Sequence, residues 1–169
     1  MKKNGCDGQG ITNKQNNILL VEQENQDLGF VGSPKEISQS IIEKIVSKKK
    51  VPVIAPLGLD KKNQVYNINA DTAAGAIAKK LNARRLIIMS DVEGVLDDNK
   101  KLISEINTDK VNDLIENDII SGGMIPKIKN CLDVASNGVK GVCIIDGRLD
   151  HSILFELLTN AGSGTLIRE

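Results

Sequence analysis

Short apolar runs alternate along the chain with stretches whose apolar residues fall three and four apart, the respective signatures of strands and helices. The alternation is clearest over residues 65–96, where VYNINAD, TAAGAIAKKL, RRLIIM and SDVEGVL read as strand end, loop, helix, strand and second loop. Asn67, Asn69 and Asp71 crowd the entry to a helix whose next turns are nearly all Ala and Ile. Polar side chains and unpaired backbone N–H groups therefore gather at one end, a ready anion site. Ala73, Ala74, Ala76, Ile77 and Leu81 form a narrow face suited to lying close on a sheet, and residues 86–89 read as a buried parallel strand. Ser90 and Asp91 leave its carboxyl end, where ligands bind in open α/β sheets. Both loops are expected at one edge of one sheet.

The remaining pattern supplies more of the same elements. Residues 1–17 are polar and rich in Gly and Asn, which predicts a loop or frayed start with at most an edge strand. A strand is expected over 18–21, with 28–31 as its hairpin partner. Ser33, Pro34 and Glu36 spell a helix start, as N-cap, first-turn proline and capping-box acid. Ile37, Ile41, Ile42, Ile45 and Val46 then share a helical face, and Lys48, Lys49 and Lys50 suit the negative end of the dipole. A buried strand follows over 51–55, and 60–64 is a hairpin tip leading into Val65. Thr108 is the expected cap of a helix carrying Val111, Leu114 and Ile115. Beyond it, Gly122 and Gly123 free the backbone just before a helix with Lys127 in its first turn. That helix turns Ile128, Cys131, Leu132 and Ala135 inward and ends at Gly138. A strand over 139–145, a turn at Asp146-Gly147-Arg148, a helix over 151–159 and a closing edge strand over 165–167 complete the chain. Strands alternating with helices predict an α/β fold with a mostly parallel sheet flanked by helices.

Composition narrows the chemistry. The 169 residues suit one domain, and 40% hydrophobic with 26% charged residues describe a soluble globular chain. Twenty-two basic and 22 acidic residues cancel, and aromatics are only 2%, which argues against nucleic acid as a partner. Cys6, Cys131 and Cys143 form no close pair and fit free thiols in a reducing compartment. With His151 the only histidine, no metal-ligand cluster is expected. No apolar run approaches membrane-spanning length, and MKKNGCDGQG lacks the hydrophobic segment of a secretory signal. Neither GxxxxGK[ST] nor a strand-following GxGxxG is present. What remains is three loops, at 67–71, 90–96 and 121–127. Phosphoryl transfer asks a protein for positioning and positive charge, and a lysine behind a Gly pair, oriented by an acid, meets that need. The residues alone leave a plainer reading open: Asp71 as a helix-terminal acid, Asn67 and Asn69 as turn formers, and Lys127 as a solvated charge.

The strings VPVIAPLG, YNINADTAAGAIA, SDVEGVLDD, SGGMIPK and IIDGRLDHSILFELLTNAGSGTLI, in order across 28–167, resemble the acetylglutamate kinases of the amino-acid kinase family. The resemblance implies a carbamate kinase-like fold, with 1–27 poorly matched and 28–169 forming the nucleotide-binding and catalytic part. It implies phosphorylation of the side-chain carboxylate of N-acetyl-L-glutamate by ATP with Mg2+, in arginine biosynthesis. Carried over by motif, Asn67 contacts the acetylglutamate, Asp71 organises lysines around the phosphoryl group, and Lys127 stabilises the transition state. Asp91, Val92, Glu93, Gly94, Val95 and Leu96, with Ile119, Ile120 and Ser121, line the ATP site. Glu156 and Gly162 match positions that hold an inhibitory L-arginine, while Cys143 stands where some sensitive members have histidine. A PII-type signalling partner, homo-oligomers and a bacterial cytoplasmic or plastid stromal setting also follow from the resemblance.

Two departures qualify it. Family members begin with a Gly-rich loop carrying a second catalytic lysine, then a diglycine loop and an arginine that hold acetylglutamate. None of these motifs is found here, so the chain is expected to be the carboxyl-terminal, ATP-binding part. Glu93 replaces a proline common in relatives. Aspartate, glutamate 5- and uridylate kinases are the rivals within the family, and a non-catalytic nucleotide- or arginine-binding remnant is the rival outside enzymes.

Overall fold

Residues 1–13 and 17–169 are described by a computed structural model; the part of the expected N-terminal loop at 14–16 lies outside them. The chain divides into two units, Met1–Leu81 and Asn82–Glu169. No helix among the described residues is long and apolar enough to cross a membrane.

The first unit holds β1 (Gly8–Ile11), β2 (Leu19–Gln23), β3 (Gly32–Ile37), α1 (Gln39–Val46), β4 (Val51–Ile54), β5 (Leu57–Leu59), β6 (Val65–Asn67) and α2 (Ala70–Lys80). Strands β3, β2, β5 and β6 form one sheet in that order, and β1 pairs in parallel with β4, Gly8 opposite Val51. Ile11, Leu19, Val21, Ile42, Ile45, Tyr66, Ile68 and Ala73 are its buried core. Ile11 is only 2% exposed, so the polar N-terminal stretch contributes a core residue rather than a frayed end.

Local signals misplace the first helix. Ser33, Pro34 and Glu36 lie in β3, antiparallel to β2 with Val21 opposite Pro34. β3 is the edge of its sheet, where a proline is tolerated, and pairing with apolar β2 outweighs the capping signature. The helix starts after Ser38, and its buried face is Ile42 and Ile45, with Val46 exposed. Residues 28–31 are likewise not the hairpin strand; β3 is. The strand expected to be buried at 51–55 leaves Val51 and Val53 exposed on one face of β4. The hairpin tip forms as expected, with Asp60 N–H donating to Gln64 O at 3.0 Å between antiparallel β5 and β6.

The second unit holds β7 (Leu86–Ser90), β8 (Glu105–Ile106), α3 (Thr108–Glu116), α4 (Met124–Ser136), β9 (Val142–Asp146), α5 (Ser152–Leu158) and β10 (Gly164–Ile167). Its sheet runs β7, β9, β10, β8. Every residue of β9 is buried, parallel to β7 on one side and antiparallel to β10 on the other. β10, expected as an edge, lies inside the sheet because it also pairs in parallel with β8. β7 is an edge instead, with Met89 half exposed. Helix α4 buries Ile128, Cys131, Val134 and Ala135, and Gly138, at φ +97°, follows its end as expected. The cap of α3 is Asn107, whose side chain accepts from Lys110 N–H, one residue before the predicted Thr108.

Among the described residues four of the seven strand pairings are parallel, and the α/β class holds. The single sheet does not: the strand before the 67–71 loop and the strand before the 90–96 loop belong to different sheets, one in each unit.

Candidate functional site

The 90–96 loop is fixed by a residue far along the chain. Val95 N–H donates to Thr165 Oγ1 at 2.8 Å, and the same hydroxyl donates to Ile103 O at 2.7 Å. Ile103 N–H returns to Val95 O at 2.8 Å. Thr165 is completely buried, so its one hydroxyl satisfies a donor and an acceptor that water does not reach. Gly94 takes φ +146°, and a Cβ there would lie 2.6 Å from Thr165 Oγ1 and 2.7 Å from Leu102 Cδ1. No other residue fits that turn. Gly94 and Val95 are buried, Val92 and Leu96 half-buried, and Asp91 and Glu93 exposed.

In the same unit, Ile119 and Ile120 N–H groups both donate to Leu114 O, at 2.9 and 3.0 Å, folding the chain back after α3. Buried Ile120 anchors that turn and leaves Ser121 exposed beside Gly122, whose φ is +56°. Helix α4 begins at Met124 without a side-chain cap, and half-buried Lys127 is in its first turn. A cation there opposes the helix dipole, a local cost that suits an anion-binding task.

The first unit carries Asn67 and Asp71. Asn67, exposed at the end of β6, is fixed through its backbone N–H to Phe30 O at 2.8 Å. Asn69 caps α2, its Oδ1 accepting from Asp71 N–H at 3.0 Å and Thr72 N–H at 3.1 Å. Two of the helix N–H groups expected to be open to an anion are thus already used. Asp71 is half-buried in the first turn.

Glu156, 8% exposed on α5, gathers a third group of residues. Its Oε1 accepts from Cys143 Sγ at 3.0 Å and Arg85 Nη1 at 3.3 Å, and its Oε2 accepts from Ser163 N–H at 3.0 Å. Gly162, at φ +70°, lies so close that a Cβ would be 2.8 Å from Oε2. Burial, then the hydrogen bond to and charge of Glu156, push the Cys143 thiol up to about 12, so it is a protonated donor at neutral pH. A cleft of about 460 Å³ opens here, lined by Arg85, Glu105, Glu156, Gly162 and Arg168 among others.

At the end of β9, buried Asp146 binds Arg148 in a two-pronged pair, Nε to Oδ1 at 2.9 Å and Nη2 to Oδ2 at 2.8 Å. Those hydrogen bonds, with one from the Arg148 backbone N–H, hold the Asp146 carboxyl down to about 2. Sequence reading missed Thr165, Arg85 and this pair. An apolar strand ending in Asp, with Arg two residues on, was the available signal for the last. Among the described residues no group of three or more His, Cys, Asp or Glu is placed to hold a metal ion.

Comparison with known proteins shows what the chain as a whole is similar to. The family model described as "Amino acid kinase family" matches residues 1–146. An acetylglutamate kinase of Pelagibacter ubique (strain HTCC1062) is 68% identical over 164 residues, 97% of this chain and 57% of that protein. The chain therefore spans a little over half the length of this curated relative. Among solved structures, smu.665 of Streptococcus mutans UA159 superposes with a TM-score of 0.83 at 31% identity, covering 99% of this chain and 63% of that one. Carbamate kinase from Giardia lamblia, solved with AMP-PNP, has a TM-score of 0.65 at 21% identity, covering 89% of this chain and 59% of that one, a likeness of fold.

Proposed function

The chain belongs to the amino acid kinase family, and from that premise we propose that it is the nucleotide-handling part of an acetylglutamate kinase. The reaction is transfer of the γ-phosphoryl group of Mg-ATP to the side-chain carboxylate of N-acetyl-L-glutamate. The observation that carries the reading is 68% identity over 97% of the chain to a protein of that name. The acceptor carboxylate is already ionised near neutral pH, so no general base is needed. The work left for the protein is positioning and charge compensation. In this reading loop 91–96 and Ile119, Ile120 and Ser121 receive the nucleotide, and Mg2+ enters with it as Mg-ATP. Lys127 offsets the charge on the moving phosphoryl group. Asn67 binds acetylglutamate, and Asp71 is an orienting carboxylate rather than a base. The rigid Gly94–Val95 turn and the uncapped start of α4 support these roles. We infer a cytoplasmic setting.

The test is ADP release from Mg-ATP by the purified chain, alone and mixed with a polypeptide covering the remaining length of its relatives. Release that requires N-acetyl-L-glutamate is expected. Release driven instead by L-aspartate, L-glutamate or UMP would replace the substrate assignment with a rival kinase. Nucleotide binding without release in either preparation would leave a binding module and remove the enzyme.

The cleft beside Glu156 supports a second reading, an L-arginine effector site using Glu156 and Gly162. The carboxylate already holds a guanidinium, that of Arg85, so its chemistry suits the ligand. Calorimetry on adding L-arginine is expected to give saturable heat, and a flat titration would remove the site.

A further inference from the structure

Loop 91–96 presents two exposed carboxylates, Asp91 and Glu93. If the loop receives a nucleotide, as the reading above has it, those charges oppose a polyanion unless a cation is fixed beside them. The fold supplies one. β9 runs parallel to β7 with Asp146 opposite Ser90, and beyond this pair the chain crosses the end of β7, Gly147 N–H donating to Ser90 O at 2.7 Å. Arg148 is thereby brought next to the start of the loop.

Its guanidinium does not wander there. The Asp146 side chain is 4% exposed, and its Oδ1 accepts from both the Arg148 backbone N–H, at 2.8 Å, and Nε, at 2.9 Å, while Oδ2 takes Nη2 at 2.8 Å. Backbone and side chain are clamped by one carboxylate, a geometry that a lysine does not reproduce. The outer part of the arginine remains open to solvent, the side chain being 63% exposed. The charges of Asp91 and Glu93 act on it in the same sense as that of Asp146, raising its affinity for its proton. An exposed cation anchored on a buried carboxylate, at the carboxyl edge of parallel strands, is more than surface decoration. Asp146 could have been an apolar residue like its neighbours in β9.

We propose that Arg148, clamped by Asp146, is a positioning residue of the nucleotide site: it holds loop 91–96 and offsets Asp91 and Glu93, so that an anionic nucleotide is accepted. The inference rests on the assignment of that loop to the nucleotide. Arg148 acts through the loop, so its effect is on affinity for the anion, not on the chemistry at the γ-phosphoryl group.

The experiment is a titration of the purified chain with Mg-ATP and, separately, with uncharged adenosine. Arg148→Ala is expected to weaken Mg-ATP binding about tenfold or more while changing adenosine binding little. Asp146→Asn, which keeps the arginine but frees it, is expected to weaken Mg-ATP nearly as much, and Arg148→Lys to recover only part. Because Arg148→Ala leaves a buried carboxylate alone and can unfold the unit, Asp146→Asn combined with Arg148→Met asks the same question without that charge. The double variant is expected to bind no more weakly than Arg148→Ala, since the two residues act as one device. Unchanged Mg-ATP affinity in folded single and double variants would overturn the proposal and leave the nucleotide assignment standing. Wild-type chain that binds no Mg-ATP would overturn both.

Discussion

Replacing Gly164 by alanine is expected to remove about 3 kcal/mol or more of stability. Gly164 opens β10 opposite Ile145 of β9. A Cβ there would run into the Ile144 carbonyl oxygen and lie 2.9 Å from its carbon and 3.0 Å from Ile145 Cα. These are backbone atoms of a strand buried along its whole length, so relief requires β9 and β10 to part. Scanning calorimetry should show a melting point lower by roughly 6–12 °C. Gly10→Ala is the control, because nothing lies within 4 Å of a Cβ at that position. Near-wild-type melting of the Gly164 variant would mean that β10 can slide without loss, which would also undo the argument that it pins the 90–96 loop.

The second large effect concerns turnover. Lys127→Ala, in protein that phosphorylates acetylglutamate, is expected to lower kcat about a hundredfold or more while the chain stays folded. A half-buried lysine in the first turn of α4 opposes the helix dipole, so its removal relieves one local term as it abolishes another. Lys127→Arg keeps the charge but moves it to a planar fork, and should restore only a fraction of the rate. Stopped-assay ADP formation measures both. Wild-type kcat in Lys127→Ala would assign the transition-state charge to another group.

These expectations began from residues whose meaning was partly visible in the chain. The apolar run that became β9 was legible because burial imposes a pattern on every residue of that strand, and β2 and β7 were legible as apolar runs although only part of each is buried. Ser33-Pro34-Lys35-Glu36 was misread because each local rule for a helix start was met. Only the pairing of β3 with β2, a contact between segments, cancels it. The same limit governs the site. Gly94, at φ +146°, and Gly122, at φ +56°, announce special backbone in their own neighbourhood. Thr165 is 70 residues from the Val95 N–H it accepts, and Arg85 is 71 from Glu156. No periodicity or spacing connects such partners, so the loops were readable and what holds them was not. The split into two sheets was hidden for the same reason: which strands pair is decided across the chain.

The place of β10 inside its sheet sets an order of events during synthesis. The first unit draws its core from residues no later than 81, all made before the second unit begins. The second waits on its last strand. Among the described residues β8 has only β10 as its partner in the sheet, and the turn at Gly94 and Val95 closes on a hydroxyl carried by β10. A ribosome adding about 5–20 residues each second exposes loop 91–96 several seconds before residues 164–167 arrive to fix it. Late in that interval, once residues 142–146 are made, β9, apolar from Val142 to Ile145, has an open edge where β10 belongs, and it is then that a chaperone or a second nascent chain has its opportunity.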